Sequence, residues 1–126
     1  MEKNTKQIQE ALKIVESSIA NCERVQSKFK EGSSQLSLSR NRIKALYIAK
    51  SLLNEQSNEF TIVELEEAIV QITSIKSKST TGIRHAKEGS GTYTRFHKLI
   101  IAMDIILDYL QKSKNETMKD NNILEH

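Results

Sequence analysis

The chain has 126 residues, no proline, four glycines and a formal net charge of +3. This length supports one hydrophobic core, and a chain so poor in proline and aromatic residues favours helices over turn-rich β folds. The single cysteine, Cys22, excludes an intramolecular disulfide and a cysteine zinc site. No signal peptide or apolar run of membrane-spanning length is recognisable, so the sequence predicts a soluble cytoplasmic protein.

The first predicted helix covers residues 5–30. Its apolar residues recur at steps of three, four and seven, which places them on one stripe: Ile8, Leu12, Val15, Ile19, Cys22 and Phe29. Gly32 suits the left-handed residue that ends a helix, and Ser33 or Ser34 suits the cap of the next helix.

The second helix is predicted to run to Asn54 or Glu55. Its inward positions are Leu36, Ile43, Leu46, Ile48, Leu52 and Leu53. A turn over residues 56–60 follows. Thr61 with Glu64 three residues later then forms the pattern of a capping box, which predicts the start of the third helix.

The third helix begins strongly and then weakens. Its first half carries regularly spaced apolar residues: Ile62, Leu65, Ala68, Ile69 and Ile72. Residues 73–82 are rich in serine and threonine, which compete for backbone hydrogen bonds, and they end at Gly82. Either Gly82 ends the helix, or the helix continues to about Glu88 with a soft middle. We favour continuation, because the first helix is unbroken at the equivalent place.

The fourth helix is predicted to start after residues 89–91, with Thr92 as its cap. Its core stripe holds Tyr93, Phe96, Ile100, Met103, Leu107 and Leu110. Further apolar residues lie outside that stripe: Leu99, Ile101, Ile105, Ile106 and Tyr109. So wide an apolar band predicts a weak homodimer through this helix.

The motif Lys-Glu-Gly-Ser occurs twice, at residues 30–33 and 87–90. The same offset of 57 places residues 5–53 on 62–110 with 11 of 49 positions identical. Two amphipathic helices align modestly by period alone. The shared motif in the same register nevertheless favours an internal duplication.

Two helical hairpins with short loops predict an all-α fold, an antiparallel up-down four-helix bundle. Both motifs then lie at one end of it. The domain is placed at residues 1–117, and residues 118–126 are expected to form a flexible tail whose last part, 124–126, looks like the junction to an affinity tag. The predicted shape resembles the small four-helix proteins of bacteria, among them bacteriocin immunity proteins, a resemblance that implies no particular activity.

The predicted topology concentrates positive charge at the end that holds both motifs. Segments 24–44 and 76–98 carry twelve basic and two acidic residues, a net charge of +10, while the remainder carries −7. Helix starts at the same end favour anions through their free amides. A solvated surface and a binding site are about equally good interpretations of this charge.

A functional basic end requires an anionic partner, which would be an acidic protein surface, phosphate groups, or nucleic acid held through its phosphates. A group docked between the two turns would meet charge, helix dipoles and serine hydroxyls together. The residues predicted to bind it are Lys30, Ser33, Arg40, Arg42, Lys87, Ser90, Arg95 and Lys98.

Patterns for catalysis and metal binding are missing from the sequence. No glutamate has a histidine three residues later, as di-iron bundles require. The carboxylate pairs Asp104/Asp108 and Glu64/Glu67 lie off the apolar stripes, so they are expected to face solvent. We therefore expect no metal, no cofactor and no enzyme activity. The leading hypothesis is a non-catalytic interaction module; nucleic-acid association is the alternative, and an enzyme comes third.

Overall fold

A computed structural model describes residues 5–56 and 59–125, with side chains as far as residue 120. Its described residues form four helices: α1 (Thr5–Gln26), α2 (Ser34–Leu53), α3 (Ile62–His85) and α4 (Gly91–Glu125). The helices pack side by side, which confirms the predicted all-α four-helix bundle. Residues 1–4, 57–58 and 126 lie outside the described part, and with them parts of the predictions for the N-terminus, the 56–60 turn and the tag junction.

The cross-section of the bundle has one short diagonal, which joins α2 and α4. Each helix contacts the next in the chain, and α1 also contacts α4. Across the bundle, α2 contacts α4, whereas the described residues of α1 and α3 make no contact with each other. The helices α2 and α4 are therefore the central pair. Because the turns α1–α2 and α3–α4 are short, the up-down arrangement brings both to the same end.

The central position of α4 explains its wide apolar band. Ile105 and Ile106, which the sequence analysis assigned to a dimer surface, are buried in the core of this chain. Leu99 and Tyr109 pack against that core from its margin, and only Ile101 is largely exposed, at 41 %. The wide apolar band of α4 is thus explained within one chain and no longer supports the predicted homodimer. Light scattering at high micromolar concentration tests that prediction.

Helix α3 is continuous through its serine- and threonine-rich stretch. The hydroxyls of Ser79, Thr80 and Thr81 donate to backbone carbonyls one turn earlier, over 2.8, 2.9 and 3.2 Å. These side-chain hydrogen bonds form within the helix, so they do not replace its backbone hydrogen bonds. Gly82 lies inside the helix rather than at its end. The favoured continuation is confirmed, although the helix ends at His85 and not at Glu88.

Helix α1 ends at Gln26, four residues earlier than predicted. The amides of Lys28 and Phe29 donate to carbonyls three residues back, which closes the helix with a tight final turn. Phe29 then leaves the helix and lines a groove beside it. Helix α4, in contrast, is longer than predicted. It continues to Glu125, past residue 117, where the domain was predicted to end.

The start of α3 is fixed as the sequence predicted. The Glu64 amide donates to Thr61 Oγ1 over 3.1 Å, and the Thr61 amide donates to Glu64 Oε1 over 3.0 Å, which is a complete capping box. These hydrogen bonds from Thr61, first of all that of its backbone, lower the pKa of Glu64. Glu64 is therefore held at the helix start and does not stand free beside Glu67.

Burial recurs at the same offset of 57 that relates the two motifs. The pairs buried in both halves are Ala11/Ala68, Val15/Ile72, Ala45/Ala102, Leu46/Met103, Ile48/Ile105, Ala49/Ile106 and Leu53/Leu110. Matching core positions are what an internal repeat would produce. The duplication itself stays a prediction, and superposition of residues 5–55 on residues 62–112 as matching helical hairpins is its test.

Candidate anion-binding end

The two Lys-Glu-Gly-Ser motifs form the same turn. In each, the serine amide donates to the lysine carbonyl three residues earlier, over 3.0 Å in both cases. Gly32 and Gly89 occupy the third position of these turns with φ of 80° and 83°. A positive φ at this position is characteristic of a type II turn and favours glycine, because a Cβ would clash with the backbone.

Alanine at Gly32 or Gly89 is therefore expected to lower the free energy of unfolding by about 1–2 kcal/mol. Gly91 is the matched control, because it lies at the start of α4 without a positive φ and an added Cβ would meet nothing within 4 Å. We expect Gly91→Ala to cause no loss. Urea unfolding followed by circular dichroism measures all three variants, and equal losses at the three positions would contradict the turn assignment.

Both motif serines cap the helices that follow them. The amide of Leu36 donates to Ser33 Oγ over 3.2 Å, and the amide of Tyr93 donates to Ser90 Oγ over 3.1 Å. The cap of α4 is thus Ser90, not the predicted Thr92. Each serine oxygen accepts a hydrogen bond from its own helix, so Ser33 and Ser90 act first as structural caps.

The predicted basic residues around these turns are mostly exposed. Arg40 lies 3.7 Å from Glu31, a solvent-exposed ion pair of small net value. Of the other five predicted cations, four are exposed with no carboxylate of the described residues within 4.0 Å: Lys30, Lys87, Arg95 and Lys98. Their charge is therefore available to a partner.

Further along the helices, away from the two turns, two lysines form ion pairs. Lys44 lies 3.7 Å from Glu64, and Lys76 lies 2.6 Å from Asp104. Both lysines belong to the basic segments counted from the sequence, so the free positive charge is confined more closely to the two turns than the count implies. Asp104, like Asp108, is exposed as predicted.

Aromatic rings lie among the cations at the start of α4. The Arg95 guanidinium stands 5.5 Å from the centre of the Phe96 ring, which restrains it through a cation–π contact. One turn apart, the Tyr93 and His97 rings are parallel to within 8° at 6.4 Å between centroids. These contacts were not predicted from the sequence, although the four-residue spacing of Tyr93 and His97 places both on one helix face.

Arg42 is not presented like the other predicted residues. It is half-buried between α1 and α2, and its Nε and Nη2 atoms are shielded from solvent without a hydrogen-bond partner in the described part of the chain. It lies close enough to Cys22 to act on it electrostatically. Burial nevertheless raises the pKa of the Cys22 thiol, which outweighs the lowering effect of Arg42.

Within the described ranges, no three or more histidine, cysteine, aspartate or glutamate side chains lie close enough to hold a metal ion. None of the helices there is both long and apolar enough to span a bilayer. Comparison with protein-family models, with curated proteins and with solved structures found no match.

Proposed function

We propose that the protein is a non-catalytic interaction module whose basic end binds an acidic surface of another protein. The observation that carries this proposal is the arrangement of the two turns: the up-down bundle brings both Lys-Glu-Gly-Ser motifs, each in the same type II geometry, to one end. The basic end is defined from here on by Lys30, Lys87, Arg95 and Lys98, with Arg40 beside them.

Electrostatics supports an anionic partner. Exposed like charges repel one another, so the exposed cations Lys30, Lys87, Arg95 and Lys98 are a cost to the free chain that an acidic partner would relieve. The starts of α2 and α4 add partial positive charge from backbone amides at the same end. A single carboxylate or phosphate would gain little from any one of these groups, but a surface of several acidic residues would engage them together.

The shape of the basic end favours a protein over a small anion. Lys30 and Lys87 stand exposed on the two turns, and Arg95 and Lys98 stand exposed near the start of α4, so the cations are spread over a surface. Nucleic acid carries the same negative charge and is the alternative hypothesis, and such binding would be through phosphates without base recognition. The two partners are therefore distinguished by experiment.

The test compares two variants of equal charge change. The first replaces Lys30, Lys87, Arg95 and Lys98 with glutamine. The control replaces four exposed lysines away from the turns with glutamine: Lys6, Lys13, Lys112 and Lys119. Salt elution is measured from immobilised polyglutamate, from heparin and from DNA.

The proposal predicts that the first variant leaves polyglutamate at a clearly lower salt concentration than the control does, with both variants folded by circular dichroism. Equal elution of the two variants would mean that the basic end is only a solvated surface. Retention that is strong on DNA and absent on polyglutamate would instead support the nucleic-acid alternative. In that case the slope of log affinity against log salt should fall by about one for each phosphate contact removed.

A further inference from the structure

A groove of about 230 Å³ lies between α1 and α2, beside the basic end. Its apolar lining comes from Val25 near the end of α1, from Phe29 just beyond that end, and from Leu38 on α2. Val25 and Phe29 are half-buried, whereas Leu38 is 45 % exposed. Apolar surface that water reaches in a groove is stabilised when another apolar group covers it.

The size of the groove fits one side chain. Its volume is below the roughly 300–1,000 Å³ of sites for drug-sized ligands, whereas an apolar cavity of about 150 Å³ is large enough to hold benzene. A leucine, methionine or phenylalanine side chain of a partner could therefore enter it. Apolar side chains that fill pockets on the facing surface are typical anchors of protein–protein interfaces.

The segment on the α1 side of the groove is strongly basic. Arg24, Lys28 and Lys30 alternate along the chain with residues that line the groove, and all three are exposed. The Arg24 guanidinium donates a hydrogen bond to the side-chain oxygen of Asn21, which itself lines the groove. This hydrogen bond places one cation at the edge of the groove.

These cations have no acidic counterpart within the described ranges. No carboxylate there lies within 4.0 Å of Arg24, Lys28 or Lys30. The acidic residues nearest to them in the chain are Glu23 and Glu31, which are both exposed. Positive charge beside an apolar groove is complementary to a segment that carries negative charge on both sides of an apolar residue.

We propose that this groove binds one apolar side chain of an acidic segment in the protein partner. The apolar side chain would lie against Phe29 and Leu38, and the acidic residues beside it would meet Lys28 and Lys30. This anchor site rests on the proposed function, because it requires an acidic protein partner and adds what that partner must carry. It also favours a protein over duplex nucleic acid, whose phosphates offer no apolar group to such a groove.

Binding of three short peptides to the full chain, measured by fluorescence anisotropy, tests the proposal. The first is polyglutamate with one central phenylalanine, the second has serine in place of that phenylalanine, and the third has the phenylalanine among serines. We expect the first peptide to bind at least about tenfold more tightly than the second, since burial of an aromatic side chain contributes about that factor. The third peptide lacks the negative charge, so it should also bind at least about tenfold more weakly than the first.

The outcomes separate the anchor site from the proposed function. Equal affinities for the first and second peptides would overturn the anchor site and leave the binding of acidic surfaces intact. Equal affinities for the first and third peptides would overturn it as well, because the partner's charge would then contribute nothing. No binding of either acidic peptide would contradict the anchor site and the proposed function together.

Leu38→Ser and Ile101→Ser form a matched pair of variants. Both residues are exposed aliphatic side chains on helices, at 45 % and 41 %, so both variants should stay folded by circular dichroism. Leu38→Ser should reduce the advantage of the phenylalanine peptide by about threefold or more, whereas Ile101→Ser should preserve it. Equal losses would mean that the ring binds any exposed apolar surface, and the proposal would fail. Association of the parent chain with itself that Leu38→Ser alone abolishes would place a second copy in the groove and would also overturn the proposal.

Cys22 provides a local readout of occupancy. It is the single cysteine of the chain and lines the groove, so its rate of alkylation by iodoacetamide reports whether the groove is filled. At equal saturation, the acidic phenylalanine peptide should slow this reaction more than the acidic serine peptide does. A rate that the phenylalanine peptide leaves unchanged would contradict binding in this groove. Slowing by a single-stranded oligonucleotide but not by the phenylalanine peptide would assign the groove to a nucleotide base and overturn the proposal.

Discussion

Replacement of Ile106 by alanine is expected to lower the free energy of unfolding by about 2–5 kcal/mol. Ile106 is fully buried, at 0 % exposure, on the central helix α4. It belongs to the same core cluster as Met103, Leu110 and Leu46. Removal of its side chain takes away apolar burial and leaves a cavity in the core cluster, and close-packed neighbours collapse only partly into it. Urea unfolding followed by circular dichroism measures the loss.

Ile101→Ala is the matched control for this prediction. The residue type, the helix and the substitution are the same, but Ile101 is 41 % exposed. We expect a loss of less than about 1 kcal/mol, since little apolar surface changes its environment. A loss as large as that of Ile106→Ala, growing with protein concentration, would show that a second copy of the chain covers Ile101. That result would restore the dimer that the burial of Ile105 and Ile106 argues against.

The second large effect is expected at the contact of Gly82 with Phe96. A Cβ built on Gly82 would lie only 2.6–2.9 Å from three atoms of the Phe96 ring, closer than side chains tolerate. Alanine in place of glycine inside a helix ordinarily stabilises by about 1 kcal/mol. Here overpacking should cost about 1–3 kcal/mol, so we expect Gly82→Ala to be neutral or destabilising in the parent chain.

A double-mutant cycle isolates this contact. In a Phe96→Ala background the ring is gone, so Gly82→Ala should stabilise by about 1 kcal/mol through helix propensity alone. The sign of the Gly82→Ala effect relative to its background therefore changes, with a coupling energy of about 1–3 kcal/mol. The same stabilisation in both backgrounds would show that α3 and α4 do not approach each other closely at these residues.

Local signals in the sequence were sufficient for most of the fold. The capping box of Thr61 and Glu64, the positive φ at Gly32 and Gly89, and the helical stripes all depend on residues within a few positions of each other. Patterns of this kind predicted the number of helices and the position of both motif turns, whereas the continuity of α3 was predicted from the unbroken first helix at the equivalent place. The capping residue of α4 was misplaced at Thr92, because serine, glycine and threonine within 90–92 all suit a helix start.

The remaining features depend on contacts between helices. Glycine at position 82 is typical of a helix end, whereas the close approach of the Phe96 ring explains why this position inside a helix holds glycine. The apolar band of α4 predicts a second interface in isolation, whereas the short diagonal of the bundle accounts for it within one chain. Which helices contact each other, and which pair forms the short diagonal, cannot be predicted from the spacing of residues along the sequence.

Some features of the candidate site could likewise be predicted from the sequence, and others depend on contacts between helices. Charge, exposure and the common end follow from the motif positions and the up-down topology, so Lys30, Lys87, Arg95 and Lys98 were predictable. The burial of Arg42 was not, because it requires the groove formed when α1 ends early and Phe29 turns toward α2. The engagement of Ser33 and Ser90 by their own helices follows a known capping pattern and could have been anticipated.

The most direct measurement of the central claim is an amide chemical-shift titration of the ¹⁵N-labelled chain with polyglutamate. Binding at the basic end predicts shifts confined to residues 28–36 and 87–98, and these shifts should disappear when salt is raised, since exposed charge pairs are screened. The far end of the bundle, including residues 5–13 and 62–66, should stay unchanged. Shifts distributed evenly over the helices, or centred on that far end, would contradict a binding function for the two basic turns.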